Sequence, residues 1–302
     1  MSFRTLLKLV RFPLVLTAAA DSVTGALLFS EEAGHLQPHF LVHLGFLGVC
    51  SAFLYMGGMA LNDAADADRD RALHPDRPIP SGEISAGGAA LFGLLLLFAG
   101  IALVAWHGEI PLVIAAVIAF GILLYDYFLK RWSLSGALTM GLIRAGNLLM
   151  GIFSILDLPF TRYRGDPIPI FGYPAVLFGY VTILTLISTL EEREKGWTRA
   201  FRALWVLQMI VVASALLVSP PAGRLDLALH IAAAGVLIAA LCGAGWNVVD
   251  RDSLMAYVRY AVFLIIALDV AFLICAGRPI QAICVLALLP VSFGMIRLYR
   301  RV

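Results

Sequence analysis

The chain has 302 residues, of which 61% are hydrophobic and 14% are charged, and its formal net charge at pH 7 is +2. Its mean hydropathy of +0.91 is far above that of soluble domains, in which about 45–50% of residues are apolar. The composition therefore indicates a polytopic membrane protein and excludes a soluble enzyme. Because the basic residues border apolar segments, they indicate membrane orientation, and we expect no nucleic-acid binding.

Ten apolar runs follow one another along the chain, each near the length of about 20 residues that crosses a bilayer as a helix. They cover residues 11–30, 39–61, 86–106, 109–129, 134–155, 172–190, 200–218, 226–246, 255–276 and 279–298. No polar stretch between them is long enough to separate two domains. We therefore expect residues 1–302 to form one all-α transmembrane bundle of nine or ten helices.

The distribution of Lys and Arg predicts how this bundle is oriented. With the N-terminus in the cytoplasm, nearly all basic residues outside the apolar runs lie in cytoplasmic segments, and the opposite side holds only Arg162, Arg164, Arg224 and Arg278. Cytoplasmic loops of membrane proteins carry such an excess of Lys and Arg. The first run carries Asp21 and lacks a small-residue cleavage site, so we expect no cleavable signal. The sequence predicts a multi-pass protein of a bacterial inner membrane.

Five acids directly follow the second apolar run, in the segment LNDAADADRDRALHPDRPIPSG at residues 61–82. In a helix, Asp63, Asp66 and Asp70 fall at i, i+3 and i+7, so their carboxylates and the amide of Asn62 share one face. Oxygen ligands without His or Cys suit Mg²⁺, which commonly binds carboxylates together with substrate phosphates. The segment predicts a magnesium site for a phosphorylated ligand. The alternative is a solvated acidic loop that pairs with its own arginines.

A second acidic cluster, LEEREKG at residues 190–196, follows the sixth apolar run. It emerges on the same side of the membrane as the first cluster, so the two clusters are candidates for opposite walls of one cavity. The alternative is a salt-bridged helix end. Four further polar residues, Asp21, Arg144, Asn147 and Asp269, lie inside apolar runs, where they are expected to face the bundle interior. Either a functional role or mutual pairing explains them.

Three motifs resemble those of the UbiA superfamily of intramembrane prenyltransferases. The pattern Asn62-Asp63-x-x-Asp66-x-x-x-Asp70, followed by RPIPSG at residues 77–82, resembles the first signature of that superfamily, NDxxDxxxD with RPxPSG. The other two are later in the chain: Tyr125-Asp126 through Lys130-Arg131 resembles its basic loop, and Arg144-x-x-Asn147-x-x-x-Gly151 resembles its motif on the fifth helix. The resemblance covers the first half of the chain.

The resemblance implies a helical bundle around a central cavity that opens to the cytoplasm. It also implies Mg²⁺-dependent transfer of a prenyl group from a polyprenyl diphosphate to an aromatic or other small acceptor. The implied catalytic residues are Asn62, Asp63, Asp66 and Asp70, with the three aspartates as metal ligands. The implied substrate-binding residues are Arg77, Lys130, Arg131, Arg144, Asn147 and Glu192.

The second signature of the superfamily, a DxxxD pattern after the sixth helix, is incomplete in this chain. When the motif is aligned on Gly196, Glu192 replaces its second aspartate and Ser188 replaces its first. Glu191 and Glu192 then become the candidate ligands of a second metal, and Glu194 is a possible substitute. In this respect the chain resembles the divergent EboC-like subgroup. The alternative function is therefore a non-catalytic protein that binds, or helps to export, an isoprenoid or aromatic metabolite.

Overall fold

The structure, a computed structural model, describes residues 2–30, 38–156, 167–193 and 195–301. Within these residues the regular structure is entirely helical, so the predicted all-α fold is confirmed. The helices are α1 (Phe3–Leu9), α2 (Val15–Phe29), α3 (Pro38–Ala65), α4 (Ala67–Leu73), α5 (Ala86–Val104), α6 (Glu109–Tyr127), α7 (Ser133–Phe153), α8 (Ile168–Ser188), α9 (Trp197–Ser214), α10 (Arg224–Trp246), α11 (Arg251–Cys275), α12 (Pro279–Leu286) and α13 (Leu288–Arg301).

Nine helical spans in the described part of the chain are long and apolar enough to cross a membrane: α2 together with the 3-10 turn Phe12–Leu14 before it, α3, and α5 to α11. Each span runs opposite to the one before it. The first residues of α2, α5, α7, α9 and α11 therefore lie at the same end of the bundle as the last residues of α3, α6, α8 and α10. We call this end the acidic pole, because Asp63, Asp66 and Asp70 lie there.

The tenth apolar run of the sequence does not form one long helix. It is divided into α12 and α13, which meet at Ala287. Pro290 follows three residues later, and a proline has no backbone N–H to donate to the carbonyl four residues before it. The helix that begins at Pro279 therefore ends before that position, and its apolar residues form two short helices beside the bundle.

Glycines allow the central helices to approach one another closely. Gly57 of α3 faces Gly93 of α5, and a Cβ added to Gly57 would lie 2.8 Å from the carbonyl oxygen of Gly93. Gly25 of α2 and Gly151 of α7 are opposed in the same way, since a Cβ on Gly25 would lie 2.9 Å from the amide nitrogen of Ile152. Close backbone approach stabilises helix pairs in lipid, where the hydrophobic effect between helices is absent.

A small apolar cluster fastens the peripheral segments of the acidic pole to the bundle. It consists of Leu9, Ala60, Ala67, Ile79 and Ala89. Leu9 belongs to α1 and Ile79 to the loop between α4 and α5, whereas Ala60 belongs to α3. The cluster therefore holds both the N-terminal helix and the RPIPSG loop against the end of α3.

Candidate active site at the acidic pole

The predicted helix through the acidic segment is interrupted at Asp66. α3 ends at Ala65 and α4 begins at Ala67, with φ −93° and ψ 5° at Asp66. Two backbone hydrogen bonds nevertheless cross the interruption, from Asp66 N to Asn62 O at 3.0 Å and from Asp70 N to Asp66 O at 2.8 Å. The helical spacing of the acids is therefore preserved across the break.

Burial separates the acids of this segment into two groups. Asp63 and Asp70 are only 4% and 3% exposed, and Asp66 is half-buried. In contrast, the side chain of Asp68 is 93% exposed and pairs with Arg71 at 2.7 Å. Asp63, Asp66 and Asp70 point inward together, as their i, i+3 and i+7 spacing predicts.

The inward acids are held by cations from three different segments. Arg77 Nη1 lies 2.6 Å from Asp70 Oδ2 and 3.8 Å from Asp63 Oδ1. Arg11 Nη2 lies 3.2 Å from the same oxygen of Asp63. Lys130 Nζ lies 2.8 Å from Asp66 Oδ1. Each predicted metal ligand of the first signature is thus matched by a positive charge.

Lys130 occupies the centre of a polar group between α3 and α6. Besides its ion pair with Asp66, it donates to Asn62 Oδ1 at 3.2 Å and lies 3.9 Å from Asp126 Oδ1. Asp126 is buried, and its Oδ1 has no hydrogen-bond partner. The structure therefore brings the predicted residues Asn62, Asp66 and Lys130 together and adds Asp126. Arg131, predicted beside Lys130, is exposed.

The RPIPSG loop has a local structure that directs Arg77 toward the acids. Ser81 N bonds to Arg77 O at 3.0 Å, and Gly82 N bonds to Ile79 O at 3.1 Å. Gly82 adopts φ +80°, a conformation that glycine reaches without the steric cost of a Cβ. Because Pro78 and Ile79 are buried, the loop is fixed on its apolar side and presents Arg77 on the other.

Arg11 was not predicted as a site residue, although it contacts Asp63. It has φ 47° and ψ 50°, and it is the one non-glycine residue with positive φ in the described ranges. Strained backbone of this kind typically costs about 1–3 kcal/mol and is often found at functional sites. Burial lowers the pKa of Arg11, but the carboxylates of Asp63 and Asp70 outweigh burial, and the net shift is upward.

The turn at Arg11 is supported by α1, which is tied to the loop before α5. The hydroxyl of Thr5 donates to the Glu83 carboxylate, and this bond lowers the pKa of Glu83. Arg11 stands where the first apolar run begins, at the membrane edge that also carries the acids. That shared edge was the signal in the sequence that could have identified Arg11.

The donor set fits Mg²⁺ by its chemistry. All candidate ligands are oxygen atoms of Asp63, Asp66, Asp70, Asn62 and Asp126, which are the ligand types that Mg²⁺ prefers. Asp126 Oδ1 is buried and has no hydrogen-bond partner, and a cation, or a water bound to one, satisfies such an atom. No preassembled group of three or more metal-binding side chains is found among the described residues; Asp63, Asp66 and Asp70 instead contact Arg11, Lys130 and Arg77.

The second acidic cluster lies at the same pole, at the end of α8. A 3-10 turn, Thr189–Glu192, follows α8, and Glu191 is exposed. The side chain of Glu192 and all of Glu194 lie outside the described residues. The hydroxyl of Ser188 donates to Thr185 O at 2.7 Å, so this residue is engaged with its own helix. The role of Glu191 and Glu192 in binding a metal or substrate stays a prediction.

Arg144 and Asn147 contact α2 in the membrane interior. Arg144 Nε lies 2.8 Å from Asp21 Oδ2, and its Nη2 donates to Thr17 O at 2.9 Å. The amide of Asn147 donates to Ala18 O at 2.7 Å. The structure thus shows the pairing that the sequence left open for Arg144, while substrate binding by Arg144 and Asn147 stays a prediction.

Fold and site together define a polytopic helical membrane protein with a cluster of carboxylates and cations at one end of its bundle. The sequence profile of the UbiA prenyltransferase family matches residues 22–266. The chain belongs to the UbiA prenyltransferase family, as its motifs predict, and it is an integral multi-pass membrane protein. Its assignment to the EboC-like subgroup stays a prediction.

Curated relatives and solved structures agree with this family. The chain is 34% identical over 151 residues to digeranylgeranylglyceryl phosphate synthase of Saccharolobus solfataricus, covering 50% of this chain and 52% of the relative. It is 30% identical over 188 residues to the enzyme of the same name from Methanothrix thermoacetophila, covering 62% of each chain. The chain therefore spans about half to three fifths of these two relatives. A UbiA homologue from Archaeoglobus fulgidus, solved with GPP and Mg²⁺, has the same fold with a TM-score of 0.60 at 17% identity, over 89% of this chain and 99% of that one.

Proposed function

We propose that this protein catalyses the Mg²⁺-dependent transfer of a prenyl group from a polyprenyl diphosphate to an aromatic or other small acceptor within the membrane. The observation that carries this proposal is the cluster in which Asp63, Asp66 and Asp70 are paired with Arg11, Lys130 and Arg77, respectively. Family membership supports it. The relatives named digeranylgeranylglyceryl phosphate synthase and the homologue bound to GPP and Mg²⁺ support the same reaction class.

The ion pairs of the cluster are suited to exchange with a magnesium diphosphate. Carboxylates that now contact cations can accept Mg²⁺, and the freed Arg11, Arg77 and Lys130 can form charge-assisted hydrogen bonds to diphosphate oxygens. Mg²⁺, when bound, supplies charge that stabilises the leaving diphosphate. Asp63, Asp66 and Asp70 would hold it, with Asn62 and Asp126 as the nearest additional oxygen donors.

The position of the cluster explains how the chain would serve an amphipathic substrate. The diphosphate is held at the acidic pole, and the apolar tail extends among the spanning helices. As the bond between the prenyl carbon and the diphosphate oxygen breaks, its electron pair stays on the diphosphate; an electron pair of the acceptor forms the new bond to that carbon, and the hydrogen that the prenyl group replaces leaves the acceptor as a proton. The apolar interior excludes water from the allylic centre during this step.

The test compares inward with outward acids of the same segment. We expect Asp63→Ala and Asp66→Ala to reduce prenyl transfer in membranes by roughly 100-fold or more, since a metal site contributes several kcal/mol to the barrier. Asp68→Ala is the matched control, because Asp68 is exposed on the opposite side of α4, and it should retain activity. Equal loss in all three variants, or unchanged turnover in the first two, would contradict the proposal.

A second candidate function is binding of an isoprenoid ligand without turnover. It is favoured by Ser188, whose hydroxyl bonds to its own helix at the position of an expected metal ligand. Under this alternative, unmodified protein binds a labelled prenyl diphosphate but does not transfer it, and Ser188→Asp gains turnover without a change in binding. Robust turnover by the unmodified protein excludes this candidate.

We also propose that residues 1–302 form a single domain with the acidic pole in the cytoplasm of a bacterial cell. The excess of basic residues at that pole supports this orientation. Labelling of an Asp68→Cys variant by a membrane-impermeant thiol reagent provides the test. Reaction in inverted vesicles but not in intact cells is expected, and the reverse pattern would contradict the orientation.

A further inference from the structure

A carboxyl group deep in the bundle has no hydrogen-bond donor beside it. Asp269 lies six residues before the end of α11 and is fully buried. Neither of its carboxyl oxygens has a hydrogen-bond partner. A lone carboxylate in the interior of a membrane protein is expensive, and intramembrane acids normally pair with another group. Asp269 therefore requires a positive charge or a proton that the described side chains do not provide.

The nearest charged groups are a second acid and one arginine. The side chain of Asp269 interacts directly with that of Asp21 on α2, the helix against which α11 packs. Asp21 is also fully buried, and it is bound by Arg144 Nε at 2.8 Å and by Arg144 Nη2 at 3.1 Å. The same guanidinium also donates to Thr17 O at 2.9 Å, so both of these partners of Arg144 belong to α2. Two carboxyl groups thus share one arginine.

A buried hydroxyl lies on the same helix as Asp21. Thr24 lies three residues after Asp21, on the same face of α2, and it is fully buried with no partner for Oγ1. Because a hydroxyl can donate its own proton or offer a lone pair to a cation, Thr24 is an additional candidate ligand, whereas the two carboxyl groups have only acceptor atoms when both are ionised. Two ionised carboxyl groups that share a site repel each other unless a proton or another positive charge lies between them.

We propose that Asp21 and Asp269 bind one small monovalent cation, H⁺ or Na⁺, at the centre of the bundle. With both acids ionised and Arg144 charged, the cluster is one positive charge short of neutrality. A single charge restores neutrality, whereas a divalent ion would leave an excess positive charge in the membrane interior. Because α11 carries Asp269 and α2 and α7 carry its partners, the bound cation joins the second half of the bundle to the first. This inference does not depend on prenyl transfer.

Three ionisable groups on helices that pack against α11 are engaged elsewhere, and the first, the hydroxyl of Tyr173 on α8, donates to Ser219 Oγ at 3.0 Å. The hydroxyl of Tyr180 on α8 donates to Ala261 O at 2.7 Å. The ring of His230 on α10 contacts Asp226 O at 2.8 Å and Ser219 O at 3.2 Å. The charged groups that act on Asp269 are Asp21 and Arg144.

The test is the thermal stability of the purified protein in detergent, in NaCl against choline chloride, at about pH 6 and about pH 9. If the ligand is Na⁺, the unfolding midpoint rises with Na⁺. If the ligand is H⁺, the unfolding midpoint does not depend on Na⁺ and is lower at the higher pH than at the lower pH. Asp269→Asn removes one acid charge with little change in shape and should abolish the response in either case. Asp252→Asn, an exposed acid of the same helix, should retain it.

Two outcomes overturn the proposal: an unmodified protein that responds to neither ion, or an Asp269→Asn variant that responds as the unmodified protein does. If the variant does not fold, infrared spectroscopy of the unmodified protein decides. A carbonyl band of a protonated carboxylic acid that disappears at high pH supports H⁺, and perturbation of carboxylate bands by Na⁺ at constant ionic strength supports Na⁺. Absence of both changes refutes the site.

Discussion

Replacement of Gly151 by alanine tests whether the close contact between α2 and α7 is required. Gly151 lies on α7 directly against the backbone of α2. A Cβ at this position would overlap the carbonyl oxygen of Ser22 and would lie 2.8 Å from its carbonyl carbon and 3.0 Å from Ala26 N. Non-bonded carbon atoms are normally about 3.5–4.0 Å apart. The two helices must therefore separate by roughly 1 Å to admit one methyl group.

This separation has two energetic consequences. Overpacking a tight interface typically costs about 1–3 kcal/mol. The same movement lengthens the bonds from Arg144 to Asp21 and from Asn147 to Ala18, because these residues lie on the turns of α7 that precede Gly151. Alanine recovers up to about 1 kcal/mol through its better helix propensity. We therefore expect Gly151→Ala to destabilise the protein by about 1–2 kcal/mol net.

The assay is denaturant or thermal unfolding of the purified protein in detergent, with Gly243→Ala as the matched control. Gly243 lies inside α10, and a Cβ added there would meet no atom within 4 Å. The control should therefore be as stable as the unmodified protein or more stable, by up to about 1 kcal/mol. If Gly151→Ala proves as stable as Gly243→Ala, the α2–α7 contact is not as tight as the structure indicates.

Two further predictions concern single hydrogen bonds. Tyr257→Phe should destabilise the protein by about 1–3 kcal/mol, because the Tyr257 hydroxyl donates to Gln208 Oε1 at 2.6 Å in the buried interior. Tyr260 is exposed, so Tyr260→Phe is the control. Equal unfolding midpoints of the two variants would contradict the prediction. Hydrogen bonds from Ser253 lower the pKa of Asp250, the N-cap of α11, so the ionised carboxylate stabilises the fold at neutral pH. This contribution disappears as the pH falls below the ordinary pKa of aspartate and through the lowered pKa of Asp250. Asp250→Asn keeps a capping oxygen without the charge, so the difference in midpoint between unmodified protein and variant should shrink in acid, and a constant difference would refute this reading.

The inward-facing acids could be predicted because their arrangement is local. Asp63, Asp66 and Asp70 lie within eight consecutive residues, and backbone hydrogen bonds across Asp66 keep their helical spacing. The break at Asp66 was not predicted, because the segment contains no proline or glycine at that point to indicate it.

The partners of these acids could not be assigned in the same way. Arg11 and Asp63 are 52 positions apart, and Lys130 lies 68 positions from Asn62. Many basic residues border the same side of the membrane, and residue type alone does not distinguish those that reach the acids from those that face solvent. Arg131 illustrates this, because it directly follows Lys130 but is exposed.

The sequence by itself determined the helical membrane architecture, because a long apolar segment must satisfy its backbone polar groups internally and forms a helix wherever it crosses lipid. It also determined which acids share a face, because helical periodicity is a property of neighbouring residues. Only the tertiary structure decided which charges meet: Arg11 with Asp63, Lys130 with Asp66, and Arg144 with Asp21 beside Asp269. These pairings depend on how separate helices pack, and that packing depends on contacts between residues distant in the chain.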